Sequence, residues 1–188
     1  MAQDVTLLER LRSDIADSRV RLDYSFSSVS GSARYIGDGE INVQGECYLL
    51  SGNGLDIYCD GSTVWTLDSS AKEVIIDSAE QGLDVLSNPA MFLLRFHDYF
   101  EVSTLDVKDS EDIIYELAAG ENVRGVSSCT LEVVLSEGKA YIRSGQVRLD
   151  DGMAVDFKIV SMEYLGKVSP DEFRPSSVFD TWEVTDLR

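Results

Sequence analysis

His97 is the one histidine in 188 residues. An imidazole is the side chain best suited to general acid–base work near neutral pH, and the adjacent Asp98 is its one sequence-adjacent partner. Catalysis by such a pair needs further groups held against it. The residues around it, Phe96, Tyr99 and Phe100, supply only aromatic surface. A single histidine also removes most triads and most zinc sites. Three cysteines, Cys47, Cys59 and Cys129, form no C-x-x-C motif, and three are too few for a disulfide scaffold. Cys47 and Cys59 flank Asn53-Gly54, a two-residue hairpin signal. Pairing across that turn is expected to set Cys47 opposite Tyr58, with the two thiols on opposite faces and free. The acidic stretch Asp106 to Asp112 lacks the glycine and spacing of a calcium loop. Asp150-Asp151 reads as a solvated hairpin turn. G-x-S-x-G, G-x-x-x-x-G-K-[ST] and H-E-x-x-H are absent from the sequence, and with them the usual nucleophile, phosphate and zinc signatures. Gly37-Asp38-Gly39 and Gly52-Asn53-Gly54 do not complete a dinucleotide fingerprint. No catalytic residue, metal set or cofactor is therefore expected, and the protein is expected not to be an enzyme. An enzyme working here would need an inward-facing acid or base of perturbed pKa, such as Asp98 or Glu101.

The elements that would position these residues follow from periodicity. Leu8, Leu11 and Ile15 form a narrow helical stripe within residues 5–18. Val20, Leu22, Tyr24 and Phe26 then alternate with polar residues, as in a half-buried strand. Short strands are expected around Ile41–Val43, Cys47–Leu50, Leu55–Cys59, Val64–Leu67 and Val74–Ile76, with turns at Asn53-Gly54 and Asp60-Gly61. Asn88-Pro89 reads as a cap followed by proline at the first helical position. The segment Ala90–Phe100 is apolar nearly all round, so it is expected to be buried on more than one side or to cover something apolar. Strands return at Ile113–Ala118, Cys129–Leu135, Lys139–Leu149 and Met153–Met162. Ser169-Pro170-Asp171-Glu172 carries the signals of one short helical turn, and Trp182–Leu187 is a candidate last strand. With no repeat or linker, the pattern predicts one α+β domain over residues 1–188, a long antiparallel sheet interrupted by a helical segment.

Acids outnumber bases 34 to 16, giving a formal charge of −18. Such a field repels phosphate and argues against a nucleic-acid partner and against lasting adhesion to anionic membranes. No apolar run reaches the roughly 18 residues of a membrane-spanning helix. Met1-Ala2-Gln3-Asp4 leads straight into the helical pattern, without the basic and apolar regions of a signal peptide. A cytoplasmic protein and a mature form with its signal removed both fit this start. What stands out is a surplus of large apolar side chains. On composition alone the plainer account is a helix that fills the sheet face, with nothing else bound.

Three segments taken in order carry a resemblance: Gly37-Asp38-Gly39-Glu40-Ile41-Asn42-Val43, Ile57-Tyr58-Cys59-Asp60-Gly61-Ser62-Thr63-Val64-Trp65, and Glu73-Val74-Ile75-Ile76. They resemble the LolA family of periplasmic lipoprotein carriers, with its glycine-rich strand start, its DG-x-x-x-W hairpin and the strand that follows. Asn88-Pro89-Ala90-Met91-Phe92-Leu93-Leu94 resembles the family's first lid helix. Trp182–Arg188 is similar to the C-terminal strand of one branch. The order of elements fits over nearly the whole chain. The resemblance implies an incomplete, half-open antiparallel β-barrel covered by a helical lid, enclosing an apolar cavity for the acyl chains of lipoproteins. It implies a periplasmic location with a signal peptide in the precursor. The implied partners are an inner-membrane LolCDE-type transporter as donor and an outer-membrane acceptor, and the carrier itself is expected to be a monomer without cofactors. On this reading the cavity walls are Leu22, Tyr24, Phe26, Ile41, Val43, Ile57 and Trp65, with Phe157 and Ile159 from later strands. The lid is Ala90–Phe100, including Met91, Leu94 and Phe96, and Leu8, Leu11 and Ile15 form a second cover. The sequence departs from the family at Val43-Gln44-Gly45-Glu46, where many members carry a basic residue, often before a proline, that latches the lid. The alternative reading is a lipid-sensing or apolar-ligand-binding module of the same fold without transfer activity.

Overall fold

The computed structural model describes residues 4–30, 32–79, 95–176 and 179–188. Helix α1 (Asp4–Ala16) opens the fold. Its Leu8, Leu11 and Ile15 are buried three or four residues apart on one stripe facing the core, and Leu7 beside them is buried too. Strands follow: β1 (Arg19–Ser30), β2 (Ala33–Gln44), β3 (Cys47–Gly52), β4 (Leu55–Asp60), β5 (Thr63–Asp68), β6 (Glu73–Ser78), β7 (Phe100–Asp109), β8 (Asp112–Ala119), β9 (Val126–Ser136), β10 (Lys139–Leu149), β11 (Ala154–Leu165) and β12 (Glu183–Asp186). They form one sheet in the order β12-β6-β5-β4-β3-β2-β1-β11-β10-β9-β8-β7. Every pair is antiparallel except β12 on β6. The sheet is not closed: β12 and β7 are its two edges.

Two of the hairpin loops are of the kind that demands positive φ at both central positions. Asn53 and Gly54 have φ of 53° and 82°, and Glu137 and Gly138 have 50° and 77°. The first of these turns corrects one expectation. It joins Gly52 directly to Leu55, so Cys47 pairs with Asp60 and Cys59 with Tyr48; Cys47 does not lie opposite Tyr58. The thiols still fall on opposite faces, and all three cysteines are free and buried.

A second correction concerns residues 100–109. The helical segment ends at Tyr99, and Phe100 begins the edge strand β7. Irregularities at Thr104/Asp106 and Val107/Asp109 break its pairing with β8. Each shifts the period-two alternation that marks a strand. As an edge strand with only Phe100 buried, β7 also has no buried apolar row to reveal it.

The core lies on the face of the sheet that carries α1, here called inner. Leu8, Leu11 and Ile15 join Val20, Leu22, Val43, Tyr115, Leu117, Leu131 and Val133 in one cluster. Helix α1 is held down by a buried carboxylate. The Ala140 N–H donates to Asp14 Oδ2 at 3.0 Å, and Arg10 and Lys139 lie 3.0 and 3.6 Å from the same carboxylate. Arg10 also donates to the Gly138 carbonyl. The β9–β10 hairpin thus grips the helix through charge-assisted bonds.

A smaller apolar layer sits on the outer face, over β3 to β6. Cys47, Leu67, Val74 and Phe173 are buried but lie outside the inner cluster. Phe173 belongs to a 3₁₀ turn, Pro170–Phe173, capped as the sequence predicts: Ser169 accepts from the Asp171 N–H, and the turn contacts β3 and β4. Two polar ties hold this segment. The Gln44 amide accepts from the Val168 N–H and donates to its carbonyl, each at 2.8 Å. Arg174 Nε pairs with Asp60 at 2.7 Å.

Candidate functional site: an apolar inner face filled at one end

Antiparallel partners share a face, so the pairing registers set the inner surface out as successive rows across the strands. The first row runs Tyr164, Val20, Val43, Tyr48, Cys59 and Val64. The second runs Met162, Leu22, Ile41, Leu50 and Ile57. The third holds Ile159, Tyr24, Gly39, Gly52 and Leu55. The fourth holds Gly145, Phe157, Phe26 and Gly37. Rows are about 6.6 Å apart, two residues of strand.

Burial falls from row to row. Val20, Val43, Tyr48 and Cys59 are 0–3% exposed, and Tyr164 and Val64 at the two ends of this row are half-buried. In the second row Leu22 is still buried, while Ile41 and Ile57 are half-buried. In the third and fourth rows Tyr24, Ile159, Phe26 and Phe157 are all half-buried. The expected walls thus divide. Leu22 and Val43 are closed core, whereas Tyr24, Phe26, Ile41, Ile57, Phe157 and Ile159 keep apolar surface accessible on one shared face.

Two wall and lid assignments are corrected. Trp65 pairs with Tyr58, while its neighbours Val64 and Thr66 pair with the inward-facing Cys59 and Ile57. A strand alternates faces at every residue, so Trp65 points outward, away from the other wall residues. Phe96, expected to line a lid, is 4% exposed within the core cluster. Its ring meets His97 edge-on at 5.8 Å. Met91 and Leu94 lie outside the described residues.

The polar candidates sit at the surface. His97 is 3.1 Å from Asp98, with side chains 36% and 40% exposed. Arg95 holds the same carboxylate at 2.9 Å, and this hydrogen bond, with the charges of His97 and Arg95, keeps Asp98 below its ordinary range. Glu101 is exposed on β7. Neither acid faces inward as an acid–base mechanism would require. Among the described residues no three His, Cys, Asp or Glu side chains are grouped to hold a metal.

The remaining charge organises the outer face. Glu132 is bonded by Lys108, by Ser144 at 2.5 Å and by Arg143 at 3.2 Å, and Arg143 also reaches Asp112 at 2.6 Å. Burial alone would raise the Glu132 pKa, but these donors hold it at about 2. A groove of about 680 Å³ crosses β11, β1 and β2, floored by Ser25 and Ser27 and walled by Arg34, Ile36, Asp38, Asp156 and Lys158. By the registers these side chains point outward. The groove carries two charged residues of each sign, and Phe26, Gly37 and Phe157 of the fourth row also line it.

The stretch at the end of β2 is held by backbone and amide contacts. In Val43-Gln44-Gly45-Glu46, Val43 is core, Gly45 makes the turn at φ 56°, and Gln44 ties down the C-terminal segment through Val168. No basic side chain stands in this stretch.

No protein-family model and no curated protein matches the chain. Solved structures do match over nearly its full length. An uncharacterized conserved protein of Thermus thermophilus aligns at TM-score 0.60 and 7% identity, covering 97% of this chain and 98% of its own. A LolA superfamily protein of Nitrosomonas europaea aligns at 0.50 and 14%, covering 92% and 97%. A Vibrio parahaemolyticus domain described as a candidate outer membrane lipoprotein-sorting protein aligns at 0.51 and 7%, covering 89% and 95%. Identities this low speak for fold alone. Together with the open twelve-stranded sheet and its inner apolar face, they give this chain a LolA-like fold.

Proposed function

We propose that this chain is a periplasmic carrier that holds the acyl chains of lipoproteins against its inner face and passes them from the inner to the outer membrane. The observation that carries this reading is the run of half-buried Tyr24, Phe26, Ile41, Ile57, Phe157 and Ile159, which continues the core face beyond the reach of α1. Each methylene of an acyl chain gains about 0.8 kcal/mol on leaving water. A carrier must offset most of that and still release its cargo. A preformed apolar floor beside a packed core meets both needs, since it is as apolar as a bilayer without enclosing the ligand on every side. Binding and release need no covalent step. They need only two states of the protein with different affinity for the chain. The donor would be a LolCDE-type transporter and the acceptor an outer-membrane protein.

The position of Gln44 favours a second reading. Where many LolA-family members carry a latching basic residue, this chain anchors its own C-terminal segment, so closure over the ligand is controlled elsewhere. A lipid sensor that binds acyl chains without transferring them fits that arrangement. The test is a release assay. Purified protein is added to spheroplasts, and lipoproteins are sought in the soluble fraction in complex with it. Their appearance supports the carrier. No release, with tight binding of a fluorescent acyl probe, leaves the sensor. Neither release nor binding overturns both readings.

A further inference from the structure

Three aromatic residues of the accessible rows each lie opposite a glycine of the neighbouring strand: Tyr24 opposite Gly39, Phe26 opposite Gly37 and Phe157 opposite Gly145. In each pair the far end of the ring occupies the place of the missing side chain. A Cβ at Gly37 would stand 2.6 and 2.7 Å from the Phe26 ring. At Gly39 it would meet the Tyr24 hydroxyl at 2.7 Å, and at Gly145 the Phe157 ring at 2.5 Å. Real Cβ contacts essentially never fall below 3.0 Å. The rings therefore recline across the sheet onto the adjacent strand instead of standing up from it. Tyr24 and Phe26 lean with ring planes 32° apart and centroids at 6.3 Å.

We propose that Gly37, Gly39 and Gly145 are positioning residues of an acyl-chain site, each keeping one aromatic ring reclined so that the inner face stays open beyond the end filled by α1. The inference rests on the acyl-binding reading above. A glycine costs strand stability, about 0.5–1 kcal/mol relative to alanine in general, and three of them opposite aromatics on one face suit a surface whose depth matters. With a side chain in place of the hydrogen, the ring must swing up, into the space a ligand would occupy.

Gly37 is the best place to test this. Only side chains crowd it, the Phe26 ring and Asn53 Oδ1 at 3.1 Å, whereas backbone carbonyls stand 2.7 Å from a Cβ at Gly39 and 2.2 Å from one at Gly145. Titration with cis-parinaric acid, a fluorescent linear acyl probe, would compare the unmodified protein, Gly37→Ala, Phe26→Leu and the double variant, with melting curves for each. Gly37→Ala is expected to weaken probe binding about tenfold, the scale of a modest overpacking penalty. The double variant is expected to return to the affinity of Phe26→Leu, because no ring remains to be displaced. A folded Gly37→Ala that binds like the unmodified protein, or a double variant no better than Gly37→Ala, overturns the proposal. Where Gly37→Ala does not fold, Phe26→Trp takes its place, with the same loss expected and unchanged binding overturning the proposal. Ring-current shifts provide a readout that needs no ligand. The Gly37 Hα protons should resonate upfield and lose that shift in Phe26→Leu. Their presence in a protein that binds no acyl probe would overturn the acyl reading while leaving the ring placement standing. Their absence would overturn the ring placement itself.

Discussion

Strand β1 carries four alternating apolar residues, and the two halves of that series meet different fates. Val20 and Leu22 are 0% and 3% exposed. Tyr24 and Phe26, the next two on the same face, are half-buried. The difference is not in the strand. Helix α1 contacts β1, β9 and β10 and inserts Leu8, Leu11 and Ile15 at one end of the inner face. It does not extend over the other, where the rings recline on glycines. Apolar alternation tells which face of a strand is inward. Whether that face is filled depends on what a separate element reaches.

The filled end should be the stability-bearing end. Leu11→Ala is expected to lower unfolding free energy by about 2–5 kcal/mol, because Leu11 is 1% exposed in the centre of the α1 contact and truncation leaves a cavity. Urea denaturation measures it. A loss under about 1 kcal/mol, below that cavity range, would mean that the two ends do not differ as described. Asp14→Ala should cost less, about 1–3 kcal/mol, by leaving the Ala140 N–H without its acceptor. Hydrogen exchange should then show α1 opening ahead of the sheet. Unchanged protection of α1 would show that apolar contacts alone hold the helix.

Acid should act on the outer layer. Burial would raise the pKa of Asp60, but the N–H donors of Thr63 and Ser62 and the Arg174 guanidinium lower it from 3.8 to about 2. A carboxylate whose pKa is depressed in the folded state stabilises above its unfolded pKa. That contribution is lost as pH falls from about 4 towards 2. Melting temperature should therefore drop across that window, and Asp60→Asn should be less stable at neutral pH with a shallower drop on acidification. The effect is moderated by the half-exposed Arg174, since solvent screens such pairs. An unchanged slope would remove Asp60 as a source of acid sensitivity. The smallest effect is expected from Trp65→Leu. Its side chain faces outward, so acyl-probe affinity should not move, and a large loss would contradict the face assignment.

Much of the framework was legible in the residues themselves. Asn53-Gly54 marked a turn because few other pairs accept positive φ twice. Ser169-Pro170 marked the 3₁₀ turn because the cap is a contact between residues two apart. Leu8, Leu11 and Ile15 marked a helix face. These are short-range constraints, and each is complete within a few residues. Strand β7 was not legible, because its pairing irregularities shift the alternation twice and its edge position leaves both faces wet.

The face of Trp65 was not legible either. It follows from the register of β4 against β5, and a shift of one residue inverts every side chain. The sequence by itself determined the elements, the turns and the apolar character of one sheet face, since these depend on local backbone preference and on period. Only the tertiary structure decided that Leu22, Val43 and Phe96 are closed core and that Tyr24, Phe26 and Phe157 remain accessible. That division depends on where α1 is anchored by Asp14 and on glycines one strand away, and contacts over such sequence distances leave no periodic trace in the chain.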